Sequence, residues 1–365
     1  MLAPLRNRRN SLIVVLGLVL AACGTSHKSA SAKKSPAPAR SPSAPASSPA
    51  PPPPPPAICP LSGETVASVP QRPMLAIKVD NSPQARPQWG LDTADMVYEE
   101  PVEGGVTRFI VMYQCRDAAR VEPVRSARQA DVYIVNQPGK SLLGNAGGSP
   151  PTLQAVQSSV NAGWIVNVGY NTGGGYQRDP GRGSPYNLET STQGLYSRPD
   201  AKGLPTAKPI FTYSASPPPG GPGSTIHIGF SQYSDVYWRW NAQANAYQRY
   251  YGNSPALGAN GGIMSAQNVV IQAVPVQMSW WIEDPSGSHQ PVPQLLGTGA
   301  ALVCHVGTCV TGTWFRPGEG LGQPTYLLDP QGHQIPLAPG TTWVELAPSS
   351  VTGPGPSPVA AYSAS

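Results

Sequence analysis

The sequence predicts an α+β fold, in which a mixed α/β N-terminal domain precedes a mainly antiparallel β C-terminal domain, after an export signal and a disordered Pro-rich tether. Three observations support this prediction. Short apolar runs with strand periodicity recur along most of the chain. Its 39 glycines and 45 prolines make turns frequent and long helices scarce. A length of 365 residues is enough for two domains.

The first 22 residues have the features of a lipoprotein signal peptide. Three arginines precede the apolar run SLIVVLGLVLAA, which is shorter than the roughly 20 residues that span a bilayer. The run ends in LVLAAC, which matches the bacterial lipobox; an ordinary secretory signal with a chance cysteine is the alternative. We therefore predict residues 1–22 to be removed, Cys23 to be lipidated, and the protein to be anchored by that lipid on the outer face of the bacterial cytoplasmic membrane.

A stretch rich in Pro, Ala and Ser follows Cys23 and continues to residue 57. It contains no acidic residue and cannot bury a core, so residues 23–71 are predicted to be the lipidated cysteine and a disordered tether. Signal and tether together hold seven cations, and subtracting seven from the formal net charge of +5 leaves about −2 for the rest. A body with that charge is not expected to bind nucleic acid.

The cysteines that remain after Cys23 are Cys59, Cys115, Cys304 and Cys309. The segment ALVCHVGTCVTGTW predicts a hairpin with Val306–Gly307 at its tip, which places Cys304 opposite Cys309. Cα atoms of such a pair lie about 4.5 to 5.5 Å apart, which suits a disulfide. By elimination Cys59 pairs with Cys115. The spacing matches no zinc knuckle, so neither a metal nor another cofactor is expected.

The N-terminal domain is predicted over residues 72–216. MLAIKVDN alternates as a strand does, GLDTAD suggests a short helix, and MVYEE and VTRFIVMYQ are strands on either side of an acidic, glycine-containing turn. SPPTLQAVQSSVNAG predicts a helix with Ser149 as its N-cap. PPPGGPG, residues 217–223, marks a linker.

The C-terminal domain is predicted over residues 224–348, with a disordered tail over 349–365. VYWRW, AYQRYY, NVVIQAV, the cysteine hairpin, TYLLD, QIPLA and TWVELA are strand-like runs separated by turns. The tryptophans of this domain include Trp238, Trp240, Trp280, Trp281 and Trp314. We expect them to form a core, because alternate strand positions are buried; a sugar-stacking face is the alternative.

Several segments resemble the YerB-like family of bacterial lipoproteins over roughly residues 72–348. In the first domain they are RPMLAIKVDNSPQARPQWGLDTADMVYEEPVEGGVTRFIVMY, EPVRSAR and NAGGSP; in the second they are AQNVVIQ, VTGTWFRP and YLLDPQGHQIPLAPGTTWVELAP. The resemblance implies a two-domain envelope lipoprotein with no established activity. The family often has a histidine where Tyr186 precedes Asn187 here, so chemistry based on that histidine is not expected.

Charged residues at predicted strand ends, with nearby amides and hydroxyls, suggest one polar cleft in the N-terminal domain. The candidate residues are Asp80, Asn81, Arg86, Glu99, Glu103, Gly104, Gly105, Arg108, Arg125, Ser126, Arg128, Gly148, Ser149 and Asn187, and the same set of charges includes Asp95 and Glu100. This domain contains no histidine, which excludes a histidine-based triad built within it. No catalytic residue can be assigned from the pattern.

Three interpretations of the cleft residues compete. In the first, Arg86, Arg108 and Arg125 pair with Asp80, Glu99 and Glu103 in a network that fixes the loops. In the second, the arginines of RSAR and the backbone amides around Gly104–Gly105 and Gly147–Gly148–Ser149 bind an anionic or sugar group. In the third, Glu99 and Glu103 act as general acid and base, or as oxygen ligands of a divalent metal.

We expect the protein to be a non-catalytic binding or accessory module of the cell envelope that contacts a cell-wall polymer or a wall-synthesis protein. A cell-wall hydrolase is the alternative. The glycine-rich run GYNTGGGYQRDPGRG lacks the order of a phosphate-binding loop, so no nucleotide is expected. Within the acidic turn, glycine is expected to permit positive φ, and Glu103 is expected to lie against Arg108 or Arg125.

Overall fold

The structure is a computed structural model that describes residues 55–355 and 359–365. Within these ranges the chain is strand-rich with few helices. The first strands are β1 (Ala57–Ile58), β2 (Thr65–Val66), β3 (Leu75–Asp80), β4 (Met96–Pro101), β5 (Thr107–Tyr113), β6 (Ser141–Gly144), β7 (Ile165–Asn167), β8 (Tyr176–Arg178) and β9 (Leu188–Thr190). The α-helices are α1 (Asp131–Val135), α2 (Pro150–Asn161) and α3 (Thr192–Tyr196). The 3-10 turns are Pro83–Ala85, Leu91–Thr93, Glu103–Gly105, Tyr170–Thr172 and Pro199–Ala201.

Strands alone make up the regular structure of the second half of the described chain. They are β10 (Gly221–Pro222), β11 (Thr225–Ser231), β12 (Ser234–Asn241), β13 (Ala246–Tyr251), β14 (Ser254–Pro255), β15 (Ser265–Ala266), β16 (Asn268–Ile282), β17 (His289–Pro293), β18 (Gly297–His305), β19 (Thr308–Arg316), β20 (Tyr326–Leu328), β21 (Thr342–Thr352) and β22 (Ala361–Ala364). The finer division into a mixed α/β first domain and a mainly antiparallel second domain stays a prediction.

One twelve-stranded sheet runs through both halves of the chain. Its order is β10-β19-β18-β16-β21-β4-β5-β3-β6-β7, with β17 beside β16 and β20 beside β19. The halves meet where β21 pairs in parallel with β4, with Glu345 opposite Glu99. Two residues of the predicted linker join this sheet, because Gly221 pairs with Cys309 and Pro222 with Thr308 at its edge. The two predicted domains therefore share a sheet and are not separated by a flexible segment there.

The central strands of this sheet are covered on both faces. All residues of β3, β4 and β5 are buried, and apolar residues make up most of each strand. One face, with Val97 and Phe109, packs on a six-stranded sheet of order β14-β13-β12-β11-β22 with β15 beside β13. The other face, with Met96 and Ile110, packs on α1 and α2. Alternate residues of β4 therefore contact different layers.

The structure corrects the predicted disorder at both ends of the folded region. β21 continues to Thr352, and β22 pairs with β11, because its backbone completes an open edge of the six-stranded sheet. At the other end β1 and β2 pair, and Leu61 between them is fully buried. The folded region therefore begins near residue 57 rather than residue 72. The signal peptide and Cys23 lie outside the described residues, and no helix within those residues is long and apolar enough to span a membrane.

Both predicted disulfides are confirmed. Cys304 lies opposite Cys309 in the β18–β19 hairpin, with Cα atoms 4.0 Å apart. Val306 and Gly307 at the tip have φ values of 49° and 72°, the positive values that a tight type I′ turn requires. The second bridge joins Cys59 and Cys115, with Cα atoms 6.0 Å apart, and fastens the β1–β2 hairpin beside the end of β5.

We expect the two bridges to contribute unequally to stability. They close loops with sequence separations of 56 and 5 residues, and in the chain-entropy model this difference amounts to about 2 kcal/mol in favour of the longer loop. The double variant Cys59→Ser/Cys115→Ser should therefore unfold at lower urea concentration than Cys304→Ser/Cys309→Ser. Equal midpoints at equal slopes would contradict this expectation.

Candidate functional site

The acidic turn between β4 and β5 is a tight 3-10 turn over Glu103–Gly105. Gly104 and Gly105 have φ values of 74° and 72°, which confirms the expected need for glycine. The backbone N–H of Val102 donates to the carbonyl of Val106 across the turn at 2.9 Å. The carbonyl of Gly105 accepts a hydrogen bond from the hydroxyl of Ser231, at the β11–β12 turn. The turn is therefore held from both halves of the chain.

Glu103 is bound by two arginines. Its carboxylate accepts hydrogen bonds from Arg128 Nε at 2.8 Å and from an Arg108 terminal nitrogen at 3.2 Å. Burial alone would raise the pKa of Glu103, but Arg108 and Arg128 outweigh it and lower the pKa to about 2. Arg108 and Arg128 also donate to the carbonyl oxygen of Ser126. The carboxylate stays ionised at neutral pH and is fully committed to these partners.

Glu99 enters a second cluster, in the core between the two sheets. Arg249 of β13 lies between two carboxylates, 2.7 Å from Glu99 Oε2 and 3.0 Å from Glu345 Oε1, and all three side chains are completely buried. Trp238 Nε1 also donates to Glu345 at 2.7 Å. Burial and the neighbouring Glu99 raise the pKa of Glu345 well above its usual value. Two carboxylates thus compete for one guanidinium.

Glu100 points to the opposite face of β4 and enters a third cluster. There Lys78 Nζ forms ion pairs with Glu100 and, at 2.7 Å, with Asp131 of α1, and these side chains are also completely buried. Burial raises the pKa of Glu100 to about 7, since Asp131 offsets part of the attraction of Lys78. As in the second cluster, two acids share one cation.

Asp80, Asn81 and Arg86 lie near the Glu99 cluster at the end of β3. Asp80 accepts from Arg125 Nε at 2.6 Å; burial would raise its pKa, but Arg108, the backbone of Ser82 and Arg125 lower it. The amide nitrogen of Asn81 donates to Glu99 at 3.2 Å. Contrary to the prediction, Arg86 forms no ion pair with an acidic side chain of the described residues. It donates to Asn81 and lies 3.5 Å from the ring centre of Tyr251.

The predicted anion site at the start of α2 is occupied by a carboxylate of the protein itself. Ser149 is the N-cap residue as predicted, but its hydroxyl donates to Glu283 Oε2 at 2.8 Å instead of capping the helix. Arg128 lies 3.3 Å from the other oxygen of Glu283. Gly148 precedes this N-cap and packs on Thr152. Asn187 lies apart from the cleft, where it binds Arg178 next to β8 and β9.

The network joins most predicted cleft residues but extends beyond the predicted domain. Sequence reasoning missed Lys78, Asp131, Arg249, Glu283 and Glu345. Lys78, Arg249 and Glu345 each interrupt an apolar or aromatic run, in LAIKVD, AYQRYY and TWVELA. A lone charge inside a buried strand needs a partner, and that signal could have identified these three. No comparable pattern marks Glu283, which lies in the segment after β16.

Two open grooves flank this network. The first has a volume of about 430 Å³ and is bordered by the acidic turn, the β11–β12 turn and the segment between β16 and β17. The second has a volume of about 460 Å³ and lies beside Trp280 and Trp281. Met278 lines both grooves. Trp238 and Trp314 are core residues as expected, whereas Trp280 is 80% exposed.

The pKa of Glu100 predicts a stability loss on the alkaline side. Its folded-state value of about 7 exceeds the usual 4.5, so its contribution is complete below pH 4.5 and is lost as the pH rises through 7. Glu100→Gln resembles the protonated acid. We therefore expect the melting temperature of this variant, relative to wild type, to increase from pH 4.5 to pH 8. A difference in melting temperature between the two proteins that stays constant from pH 4.5 to pH 8 would contradict this.

Glu103→Gln is the matched control, because its pKa is shifted the other way. The wild-type contribution is present above pH 4.5 and is lost as the pH falls towards 2. Removing this buried charge at pH 7 should cost about 3 kcal/mol, since Arg108 and Arg128 lose their counterion. The deficit of the variant should shrink on acidification below pH 4.5, in contrast to Glu100→Gln.

Known proteins resemble this chain over both halves. Models described as the N-terminal and C-terminal domains of a protein of unknown function, DUF3048, match residues 61–205 and 226–344. YerB of Bacillus subtilis strain 168, named as a candidate lipoprotein, is 27% identical over 297 residues, which cover 79% of this chain and 86% of that protein. A crystal structure of YerB from the same organism has a TM-score of 0.68 at 23% identity, covering 84% of this chain and 99% of that one. The chain therefore belongs to the DUF3048 family and is a homologue of YerB.

Proposed function

We propose that this protein is a non-catalytic binding module of the bacterial cell envelope, anchored by a lipid on Cys23 to the outer face of the cytoplasmic membrane. The lipobox LVLAAC and the homology to YerB, itself named as a candidate lipoprotein, support the anchor. The Pro-rich tether supports a working position away from the lipid, because such segments extend about 3.1 Å per residue.

One observation supports the non-catalytic assignment. The carboxylates of Glu99 and Glu103 form ion pairs with arginines inside the protein. Hydrolysis by paired carboxylates needs one acid and one base that both face the substrate. Glu99 is completely buried against Arg249, and Glu103 is only 8% exposed and bound by Arg108 and Arg128. The turn is thus suited to form a rigid wall of the first groove rather than to react in it.

The same pairing argues against an anionic ligand at the predicted cleft. Arg125, Arg128 and Arg108 are each bound to an acid, and Glu283 occupies the start of α2. An anion would have to displace a buried carboxylate, which leaves a charge without a partner. A wall polymer recognised through uncharged groups fits the grooves better.

The anchor is tested by Cys23→Ala. Without the thiol no lipid can be attached, so the variant should stay unprocessed or leave the membrane fraction, whereas wild type should remain there after a salt wash. Normal maturation of the variant, together with partition into detergent phase, would overturn the lipobox assignment.

The binding role is tested by incubating the full-length protein in detergent micelles with purified peptidoglycan sacculi. We expect the protein to sediment with sacculi without releasing soluble fragments. Sacculi stripped of covalently attached anionic polymers should retain it equally, and Arg125→Ala, which removes the most exposed of the strand-end arginines that pair with acids, should sediment as wild type does. Fragment release would instead indicate a hydrolase, and loss of binding on stripping would indicate an anionic ligand.

A further inference from the structure

Trp280 has the highest fractional exposure of the large apolar side chains in the described ranges, at 80%, followed by Val359 at 56%. It lies near the end of β16, where the pairing with β17 shifts register between Met278 and Ile282. Such bulges re-aim side chains and are common beside binding sites. A single exposed apolar side chain needs no explanation by itself, but this indole also borders the second groove.

The exposed ring of Trp280 contacts Trp281, whose indole nitrogen is hydrogen-bonded to the buried ion network. The ring of Trp281 lies edge-on to that of Trp280, with ring centres 5.6 Å apart and planes at 84°. Trp281 Nε1 donates to Glu283 Oε2 at 3.0 Å, and Glu283 is in turn bound by Ser149 and Arg128. Trp280 is thus backed by a fixed ring, which reduces the entropy lost when a ligand binds to it.

The second groove contains no charged side chain among its lining residues. Its polar groups are mainly amides and hydroxyls, including Gln129, Gln277, Ser279 and Gln294, and Gln277 and Gln294 are exposed. An aromatic face combined with uncharged hydrogen-bonding groups is complementary to a neutral, polyhydroxylated ring. The volume of about 460 Å³ lies in the range of small-ligand sites.

The two grooves adjoin each other. Met278 lines both, and Gly353 and Pro354 of the second groove are followed in the chain by Gly355 of the first. A linear ligand seated on Trp280 can therefore continue towards the acidic turn. The charge of Glu103 beside that path is neutralised by Arg108 and Arg128.

We infer that the groove at Trp280 binds an uncharged glycan chain, with one sugar ring stacked on the exposed indole face and the amide side chains donating to its hydroxyl and N-acetyl groups. This inference rests on the proposed envelope-binding function and names its ligand class and site. A lipid surface fits less well, because aromatic residues that enter membrane interfaces usually act with neighbouring Lys or Arg. None lines this groove.

The experiment measures binding of the full-length protein in detergent micelles to a β-1,4-linked tetramer of N-acetylglucosamine, by tryptophan fluorescence and calorimetry. Trp280→Ala should weaken binding by about tenfold or more, as removal of a central aromatic anchor does. Trp280→Phe should retain part of the affinity, because a smaller ring remains. Phe315→Ala is the matched control: Phe315 is an exposed aromatic residue, 40% accessible, that lines neither groove, and its removal should leave the affinity unchanged.

The outcomes separate this inference from the proposed function. Sedimentation of wild type with sacculi, combined with no binding of the tetramer or with equal binding by Trp280→Ala, would overturn the glycan site and leave the envelope role standing. Failure to sediment with sacculi would overturn the proposed function, and absence of tetramer binding in that case would overturn the glycan site as well. Vesicles of phosphatidylglycerol, or a free wall stem peptide, that bind wild type but not Trp280→Ala would assign the groove to lipid or peptide and refute the glycan. Unchanged melting temperatures establish that the variants are folded.

Discussion

The ion cluster at Arg249 joins the two halves of the chain. Its guanidinium is completely buried between Glu99 of β4 and Glu345 of β21, and these strands are the parallel pair that makes one sheet from both halves. Burying three ionisable groups costs several kcal/mol per ion, which only good geometry and additional hydrogen bonds can offset. Trp238 and Asn81 supply such bonds, and burial together with the neighbouring Glu99 raises the pKa of Glu345.

The cluster also specifies the register of the joint. Glu345 lies opposite Glu99, and shifting β21 by one residue would move Glu345 to the face that packs on α1 and α2. There it would have no access to Arg249. An apolar pair at these positions could stabilise the sheet equally well, but it would tolerate neighbouring registers. The ion triad favours the native pairing, because a shift by one residue would leave Glu345 in a core without Arg249.

The local parts of this structure could be predicted from sequence, and the distant pairings could not. The strands around the acidic turn, the glycines at positive φ and the Cys304–Cys309 hairpin depend on a few adjacent residues, whose patterns are visible in one chain. The β4–β21 pairing joins residues separated by most of the folded region, and both faces of these strands are buried where they pair, so periodicity gives no register. Sequence reasoning therefore sought the partner of Glu99 among Arg86, Arg108 and Arg125, and missed Arg249 of β13.

The three glutamates of the motif YEEPVEGG form ion pairs with three different parts of the structure. Glu99 points to the six-stranded sheet, Glu100 points to α1 through Lys78, and Glu103 binds Arg108 and Arg128 at the strand end. Arg128 then reaches Glu283, Glu283 accepts from Trp281, and Trp281 supports Trp280. A continuous set of contacts thus connects the acidic turn with the exposed indole. Since both groove walls belong to this one network, a ligand that spans the two grooves would meet a surface already arranged for it, and little of its binding energy would be spent on ordering the protein.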